Sequence, residues 1–441
     1  MTLRLAGREQ EGYDLFSRIR DRTAEVAVVG LGYVGLPLAT AAATAGFPVT
    51  GIDTDPKRVG MLARGMSGVL DVPEEVLEGL VRSRRFRPTA DFGALRAADV
   101  VVVCVPTPLR HEMPDLSHLE AVAGELAATL RPGQLVILES TTYPGTTEEL
   151  FCEILEQSGL EAGRDFSLGF SPERIDPGND DWRLENVPKI VGGIDQRSTD
   201  LMEAFYGTFI QQVHRVSSPR VAEMAKLLEN TYRHVNIALV NELALLSHEL
   251  GVDVWEVIEA AGTKPFGFQR FYPGPGWGGH CIPVDPAYLS WRVRQMGQTA
   301  RFVELAREIN HRMRGYVVER VVEYLNDAGK SLKGATLLVL GVTYKADVAD
   351  IRESPALEII SRLCKAGAHV GFHDPYIGEI AVDGSMLGSV ELTEQVVSDA
   401  DVVLVLTAHS TYDWAWIAGR SRLIFDTRNA LNDVGGRVVR L

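Results

Sequence analysis

The chain has 441 residues, 46% of them hydrophobic, which is enough for two or three domains with their own cores. It carries 44 Lys and Arg residues against 59 Asp and Glu residues, a net charge of −15 without any basic run, which excludes a typical nucleic-acid-binding protein. No apolar stretch has the length of a bilayer-spanning helix, and the first 22 residues lack the apolar core of a secretory signal, so we expect no membrane partner.

An α/β pattern is predicted for residues 25–216, after a short amphipathic helix in residues 1–24. Short apolar runs bounded by turn residues are typical of buried parallel strands. Such runs alternate with helical stretches, as in the βαβ units of a doubly wound sheet. The predicted strands are residues 25–30, 49–53, 100–105 and 135–139.

From residue 217 the pattern becomes helical. Residues 219–250 begin with proline, contain no glycine and are rich in Ala, Leu, Glu and Asn, which predicts one helix of roughly 30 residues. Further helical pattern extends to about residue 326, interrupted by residues 265–286, which are dense in Gly, Pro and aromatic residues. That interruption is a candidate functional loop in a central helical domain, residues 217–330.

The α/β pattern returns in residues 331–441, with strands predicted at 336–341, 370–374, 402–407 and 423–426. The sequence therefore predicts an α/β protein with two doubly wound, Rossmann-like domains joined by a long helix and a helical central domain.

A glycine-rich turn follows the first predicted strand. Gly30, Gly32 and Gly35 form a GxGxxG, whose glycines allow a tight turn, close approach of a pyrophosphate and close helix–strand packing. Asp53 ends the next strand, where its carboxylate can accept hydrogen bonds from ribose hydroxyls, which favours NAD over NADP. Arg58 fits either a 2′-phosphate contact or a solvated surface position.

Four further residues are candidates for chemistry, although each is ambiguous alone. Lys226 and Asn230 are four residues apart on the long helix and share one face, which a solvated pair would also do. Cys281 lies in the Gly/Pro-rich loop, four residues before Asp285. A single cysteine is more often a small buried hydrophobe than a nucleophile, but the glycines around this one leave room for a substrate.

Two segments of the first domain add candidates. Thr141 and Thr142 follow a strand at the carboxyl edge of the sheet, where such folds bind ligands. Glu173 ends another candidate strand. The four cysteines, including Cys281, are far apart and form no CxxC pair, so we expect no metal site, no disulfide framework and a reducing, cytoplasmic location.

Together these features resemble the UDP-glucose/GDP-mannose dehydrogenase family over nearly the whole chain. Seven segments carry the resemblance, in the family's order: VGLGYVGLPLA (29–39), VPTPL (105–109), ESTTYPGTTEE (139–149), SPERIDPGN (171–179), EMAKLLEN (223–230), PGPGWGGHCIPVDP (273–286) and GVTYKADVADIRESPA (341–356).

The resemblance implies a nucleotide-sugar 6-dehydrogenase that oxidises the C6 alcohol to a carboxylate with two NAD. Cys281 would form a thiohemiacetal and then a thioester. Lys226 would stabilise charge on the C6 oxygen, with Asn230 as a neutral donor and Asp285 orienting the loop. Glu173, partly desolvated, and Thr141 would position and deprotonate the water that hydrolyses the thioester.

The resemblance also assigns binding residues and a homodimer built on the long helix. The nucleotide sugar would bind the last domain and the Cys loop, through Lys345, Tyr272, Gly274, Gly276 and Gly278. NAD would be bound by Gly30, Gly32, Tyr33, Val34, Gly35, Asp53, Arg58, Pro106, Thr107, Thr142 and Arg352.

Departures from the family pattern bear on the sugar. Pro177, Val284 and Val348 stand where members acting on UDP-glucose often have Glu, Lys and Thr. The motifs look more like the branch that oxidises UDP-N-acetylhexosamines, with UDP-N-acetylglucosamine first and UDP-N-acetylmannosamine, UDP-glucose and dTDP-glucose as alternatives. Polysaccharide biosynthesis is a pathway that would fit.

Two other function classes compete with this one. A two-electron β-hydroxyacid dehydrogenase shares the first domain, a helical second domain and a Lys-x-x-x-Asn pair, but needs neither Cys281 nor residues 335–441. A non-catalytic nucleotide-binding protein would be expected to lose Cys281 or Lys226 first, and both are present.

Overall fold

The computed structural model describes residues 15–69, 71–110, 113–176, 181–279, 281–431 and 437–441. Most of the predicted first helix therefore lies outside the described residues, but residues 15–20 are helical and bury Leu15 and Ile19. Contacts divide the chain into two units, Met1–Glu229 and Asn230–Leu441. This division falls inside the long helix, and the predicted domain boundaries after residues 216 and 330 stay predictions.

An eight-stranded sheet forms the centre of the amino-terminal unit. Its strands and those of a small hairpin are β1 (Val26–Val29), β2 (Val49–Ile52), β3 (Phe86–Thr89), β4 (Val100–Val103), β5 (Leu109–Arg110), β6 (Met113–Pro114), β7 (Leu135–Leu138), β8 (Ser167–Phe170), β9 (Lys189–Gly193) and β10 (Val213–Arg215). The order is β10-β9-β8-β7-β4-β1-β2-β3, and neighbours are parallel except β8 and β9, which are antiparallel.

Helices cover both faces of this sheet, which is why its central strands are apolar throughout. In β4, Val100 and Val102 pack into one core, while Val101 and Val103 pack into another. The helices of this unit are α1 (Gly35–Thr44), α2 (Pro56–Leu62), α3 (Glu74–Arg82), α4 (Ser117–Thr129), α5 (Cys152–Leu155) and α6 (Gln196–Tyr206).

The predicted long helix is α7 (Pro219–Leu250), which contributes residues to both units. Along its length run eight exposed apolar side chains, three or four residues apart except for one gap of seven, which we call the apolar stripe: Val221, Met224, Leu228, Tyr232, Leu239, Leu243, Leu246 and Leu250. None of the described helices combines the length and the hydropathy that a bilayer crossing requires.

A five-stranded parallel sheet, in the order β12-β11-β15-β16-β17, forms the second α/β layer. The strands are β11 (Thr336–Leu340), β12 (His369–His373), β13 (Glu379–Val382), β14 (Ser385–Gly388), β15 (Val402–Val405), β16 (Ile424–Asp426) and β17 (Val438–Arg440), of which β13 and β14 form an antiparallel hairpin. The helices are α8 (Val254–Ala261), α9 (Asp285–Gln295), α10 (Arg301–Asp327), α11 (Pro355–Lys365), α12 (Glu394–Asp399) and α13 (Trp414–Ala418). The predicted α/β class with two Rossmann-like sheets is confirmed.

Candidate functional site

The carboxyl end of β1 leads into the glycine-rich turn. Gly30 has φ +89°, and a Cβ there would lie 2.5 Å from the carbonyl oxygen of Cys104, so only glycine fits. A Cβ on Gly35 would overlap the carbonyl oxygen of Gly30. A Cβ on Gly32, by contrast, would meet no atom within 4 Å, so the backbone there is open to a ligand. Tyr33 next to it is half exposed.

Asp53 and Arg58 brace this turn. Asp53 Oδ2 accepts from the backbone N–H of Leu31 at 2.9 Å, and its Oδ1 accepts from that of Asp55 at 2.9 Å. Arg58 donates to the carbonyl oxygen of Leu31 at 2.9 Å, a contact that neither sequence interpretation foresaw. The open backbone at Gly32, three residues before α1, fits a bound pyrophosphate.

The loops after β4 and β7 lie side by side at the same sheet edge. Thr107 donates from Oγ1 to the carbonyl oxygen of Thr141 at 2.6 Å. Thr142 is buried, and its Oγ1 has no hydrogen-bond partner among the described residues. Pro106 is exposed. An unpartnered buried hydroxyl at this sheet edge is available to a ligand.

A buried lysine lies between two carboxylates beyond this edge, an arrangement that the sequence analysis missed. Lys189 Nζ lies 3.1 Å from Glu139 Oε1 and 3.2 Å from Glu173 Oε2, with side chains 4%, 0% and 12% exposed, respectively. Tyr206 donates its phenolic hydrogen to Glu139. We call these four residues the Lys189 cluster. The sequence signal for this cluster was a lysine, Lys189, at the start of an apolar strand and a glutamate, Glu139, directly after another.

Glu173 is largely buried, but its pKa is not raised. Burial alone would raise the pKa of Glu173, but the charge of Lys189, the N–H of Ile175, the charge of Lys226 and the N–H of Arg174 outweigh it and lower that pKa. Both backbone N–H groups donate to Glu173 Oε1 at 2.7 Å. Glu173 is therefore an ionised hydrogen-bond acceptor.

Lys226 is buried on α7, one turn after Glu223. Glu223 accepts from the backbone N–H of Gly145 at 2.5 Å and from the N–H and Oγ1 of Thr147 at 2.9 and 2.7 Å. Burial raises the pKa of Glu223 to about 7, although these hydrogen bonds oppose the shift. Glu223 thus fixes the turn that follows Thr141 and Thr142, a role with no sequence signal beyond its place in the EMAKLLEN segment.

In the second unit, three predicted catalytic residues lie together. Asn230 donates from Nδ2 to Asp285 Oδ2 at 2.5 Å, and Asp285 is 1% exposed. The backbone N–H of Asp285 donates to the carbonyl oxygen of Cys281 at 2.8 Å. Cys281 itself is exposed, on the turn that leads into α9. The exposed Cys281 is thus joined by a backbone hydrogen bond to Asp285, whose carboxylate also binds the amide of Asn230.

A cleft of about 540 Å³ opens elsewhere in the same unit. Tyr272 stacks on Trp255 with ring centroids 5.9 Å apart and donates to Glu259 Oε1 at 2.6 Å. Lys345 and Arg428 also line it, so it offers two cations and an aromatic pair. Burial lowers the pKa of Arg428 to about 10. This residue lies two positions after β16 and was not among the predicted ones.

The glycines of the Cys loop serve packing. Gly274 donates its N–H to Asn241 Oδ1 at 2.9 Å, Gly276 has φ +124°, and a Cβ on Gly278 would lie 2.6 Å from Cβ of Tyr344. Arg352 pairs with Asp350, and its carbonyl oxygen accepts from Gly279.

Among the described residues, no group of three or more His, Cys, Asp or Glu is placed to hold a metal ion. Val34, which precedes α1, is half-buried against the first core.

Comparisons with known proteins identify these parts. Residues 24–210 match the NAD binding domain of the UDP-glucose/GDP-mannose dehydrogenase family, residues 220–312 its central domain and residues 338–433 its UDP binding domain. The chain is 35% identical over 415 residues to a UDP-N-acetyl-D-mannosamine dehydrogenase of Pyrococcus horikoshii, covering 92% of this chain and 96% of the relative. It is 37% identical over 356 residues to a UDP-N-acetyl-D-glucosamine 6-dehydrogenase of Pseudomonas aeruginosa, covering 80% and 83%.

A solved structure of a UDP-D-ManNAc dehydrogenase from Pyrococcus horikoshii superposes with a TM-score of 0.86 at 34% identity, covering 94% of this chain and 98% of that one. The glycine-rich turn and Asp53 lie in the matched NAD binding domain, and the protein is an oxidoreductase that acts on CH–OH groups with NAD. The chain belongs to the UDP-glucose/GDP-mannose dehydrogenase family.

Proposed function

We propose that this protein oxidises the C6 alcohol of a UDP-N-acetylhexosamine to a carboxylate, with UDP-N-acetylglucosamine as the first candidate. The observation that carries the proposal is the exposed Cys281 and its hydrogen-bonded surroundings. The backbone carbonyl oxygen of Cys281 accepts from the N–H of Asp285, and the carboxylate of Asp285 accepts from the amide of Asn230. A two-electron alcohol dehydrogenase needs no such thiol.

Oxidation of the alcohol to a carboxylate removes four electrons. Bound NAD would accept one hydride in each of the two oxidation steps, so two NAD are consumed. The alcohol first becomes an aldehyde, and the Cys281 thiolate adds to its carbonyl carbon to form a thiohemiacetal. Loss of a second hydride gives a thioester, and water then cleaves the C–S bond, releasing the carboxylate and the thiol.

Each protein group has a role that fits its surroundings. Lys226 stabilises negative charge on the C6 oxygen, and Asn230, fixed by Asp285, donates to the same oxygen. Thr141 orients the hydrolytic water, and Glu173 accepts a proton from it. The lowered pKa of Glu173 keeps this acceptor ionised at neutral pH.

The cleft supports the nucleotide part of the proposal. Its Lys345 and Arg428 are suited to a diphosphate, and the stacked Trp255 and Tyr272 are suited to a flat ring. We propose this cleft as the UDP site. For the sugar, the relatives named for mannosamine and glucosamine substrates are 35% and 37% identical, which favours a UDP-N-acetylhexosamine and makes UDP-N-acetylmannosamine the second candidate.

The decisive experiment measures NADH formed per sugar consumed, with UDP-N-acetylglucosamine, UDP-N-acetylmannosamine, UDP-glucose and dTDP-glucose in parallel. Two NADH per sugar with one preferred N-acetylhexosamine is the expected result. One NADH per sugar would favour a two-electron dehydrogenase, and a preference for UDP-glucose would refute the proposed sugar class.

We also propose a homodimer formed through the apolar stripe. Eight large apolar side chains on one helix, each at least 40% exposed, are typical of a surface that a partner covers. Light scattering should give twice the chain mass, and Leu228→Glu with Leu243→Glu should lower it to one chain. An unaltered mass in the double variant would place the interface elsewhere.

A further inference from the structure

Three neighbouring strands bring the Lys189 cluster together. Glu139 directly follows β7, and Glu173 lies three residues after β8. Lys189 is the first residue of β9, which is antiparallel to β8, so its amino end lies at the edge where β7 and β8 terminate. Because β9 is antiparallel to β8, its first residue, Lys189, lies at the edge where Glu139 and Glu173 follow their strands.

The cluster has one cation for two buried carboxylates, and the two carboxylates have different hydrogen-bond partners. Glu173 Oε1 has two backbone N–H donors and Oε2 has Lys189. Glu139 Oε1 is shared by Tyr206 and Lys189, while Glu139 Oε2 has no hydrogen-bond partner among the described residues. The negative charge of Glu173 is therefore better stabilised by hydrogen-bond donors than that of Glu139.

The pKa values of the two carboxyl groups are accordingly pushed apart. Burial, with the charge of Glu173 adding to it, raises the pKa of Glu139, whereas Lys189 and the backbone donors lower that of Glu173 despite its burial. Environments that separate two neighbouring carboxyl groups in this way commonly assign them different tasks. Among the described residues, Lys226 on α7 and the buried thiol of Cys104 after β4 are further ionisable groups that interact with the cluster.

We propose that Lys189 is a positioning residue that acts through Glu173, holding its carboxylate ionised and oriented so that it can only accept a proton from the hydrolytic water. This inference rests on the proposed function. Lys189 uses one direction of Glu173 Oε2 and the backbone uses Oε1, which leaves a second lone pair on Oε2 for the water. Glu139 and Tyr206 anchor the ammonium from the other side.

The test compares variants with different expected effects on the full-length enzyme. The protonation of Glu173 is followed by infrared titration of its carboxyl band, identified by its loss in Glu173→Gln. Lys189→Met should move the titration up by about 1–3 pH units, because the charge that lowers the pKa of Glu173 most is then gone. Glu139→Gln should leave it nearly unchanged, because Glu139, whose pKa is raised, is already protonated in the pH range in which Glu173 titrates. Lys189→Arg should restore most of the original titration, and the exposed Lys333→Met is the matched control.

The pH profile of NADH formation should follow the same order, with the acid limb moving up in Lys189→Met and staying in place in Glu139→Gln. A lysine that served only the fold would not move the acid limb and recover it in Lys189→Arg, and Lys189→Gln gives the same test if Lys189→Met does not fold. An unchanged Glu173 titration in Lys189→Met, or in Lys189→Gln where Lys189→Met does not fold, would overturn the inference.

The two proposals fail in different ways. A shifted infrared titration with only one NADH per sugar would refute the four-electron function while leaving the control of Glu173 by Lys189 in place. Two NADH per sugar with no shift would refute the role of Lys189 alone.

Discussion

The side-chain amide of Asn230 donates to the buried carboxylate of Asp285, 55 residues further along the chain. Because Asp285 also donates its backbone N–H to Cys281, one residue fixes both the amide and the turn that carries the thiol. The positions of Asn230 and Cys281 in the proposed chemistry therefore depend on Asp285, which need not touch the substrate.

Asp285→Ala should lower kcat by about 10- to 100-fold, because the amide of Asn230 loses its acceptor and its orientation. Steady-state NADH formation at saturating substrate measures this, and the exposed Asp399→Ala is the control. An unchanged kcat in Asp285→Ala would mean that Asn230 needs no such fixation.

Cys281→Ala should stop acid formation, by about a thousandfold or more, while leaving the binding of NAD intact. Cys281→Ser should also be severely slowed, because an alkoxide is harder to form than a thiolate and its ester is a poorer acyl donor. Cys364→Ala, which removes another exposed cysteine, should behave as the unaltered enzyme. Normal uronate production by Cys281→Ala would eliminate the thioester route.

Gly32 and Gly35 form a matched pair in the glycine-rich turn. Gly35→Ala should lower the free energy of unfolding by about 3 kcal/mol or more, because its methyl group overlaps the backbone of Gly30. Gly32→Ala meets no protein atom, so stability should stay within about 0.5 kcal/mol, but the affinity for NAD should fall about tenfold or more. Urea unfolding and fluorescence titration with NADH separate the two effects. Undiminished NADH affinity in Gly32→Ala would place the pyrophosphate elsewhere.

Glu223 should make stability depend on pH. Its pKa is raised from 4.5 to about 7, so between these values the folded state binds a proton that the unfolded state has lost. Stability should therefore fall as pH rises through this window, by on the order of 3 kcal/mol from this one group. Glu223→Gln, compared with the exposed Glu75→Gln by urea unfolding at several pH values, should show a flatter dependence. Parallel curves for both variants would contradict this assignment.

The elements of the fold were predictable to a large extent. All eight proposed strands agree with observed ones to within two residues at either end, and the long helix extends over residues 219–250 as predicted. These elements are buried on several sides, so their apolar pattern is continuous. The strand Lys189–Gly193 was not proposed, because it is short and opens with a charged residue.

The site was predictable only where a motif carried it. The glycine turn with Asp53 is a local pattern, and Asn230, Cys281 and Asp285 each stand in a motif segment. The contact of Asp53 with Leu31 and that of Asn230 with Asp285 were seen only in the structure. The contact of Lys189 with Glu139 and Glu173 joins residues 50 and 16 positions apart, and no periodicity reports such a pairing. The residue roles themselves stay predictions until the variants are measured.

Because the Lys189 ammonium is buried, chemical labelling of this residue can measure local opening of the structure around it. At 4% exposure the amine is shielded from an acylating reagent, whereas the exposed Lys57 would be labelled at once. The rate at which Lys189 becomes labelled then reports how often the sheet edge around β9 opens, and dividing by the Lys57 rate converts it into an opening equilibrium constant. Ligands that close the edge should slow that reaction without changing the reference.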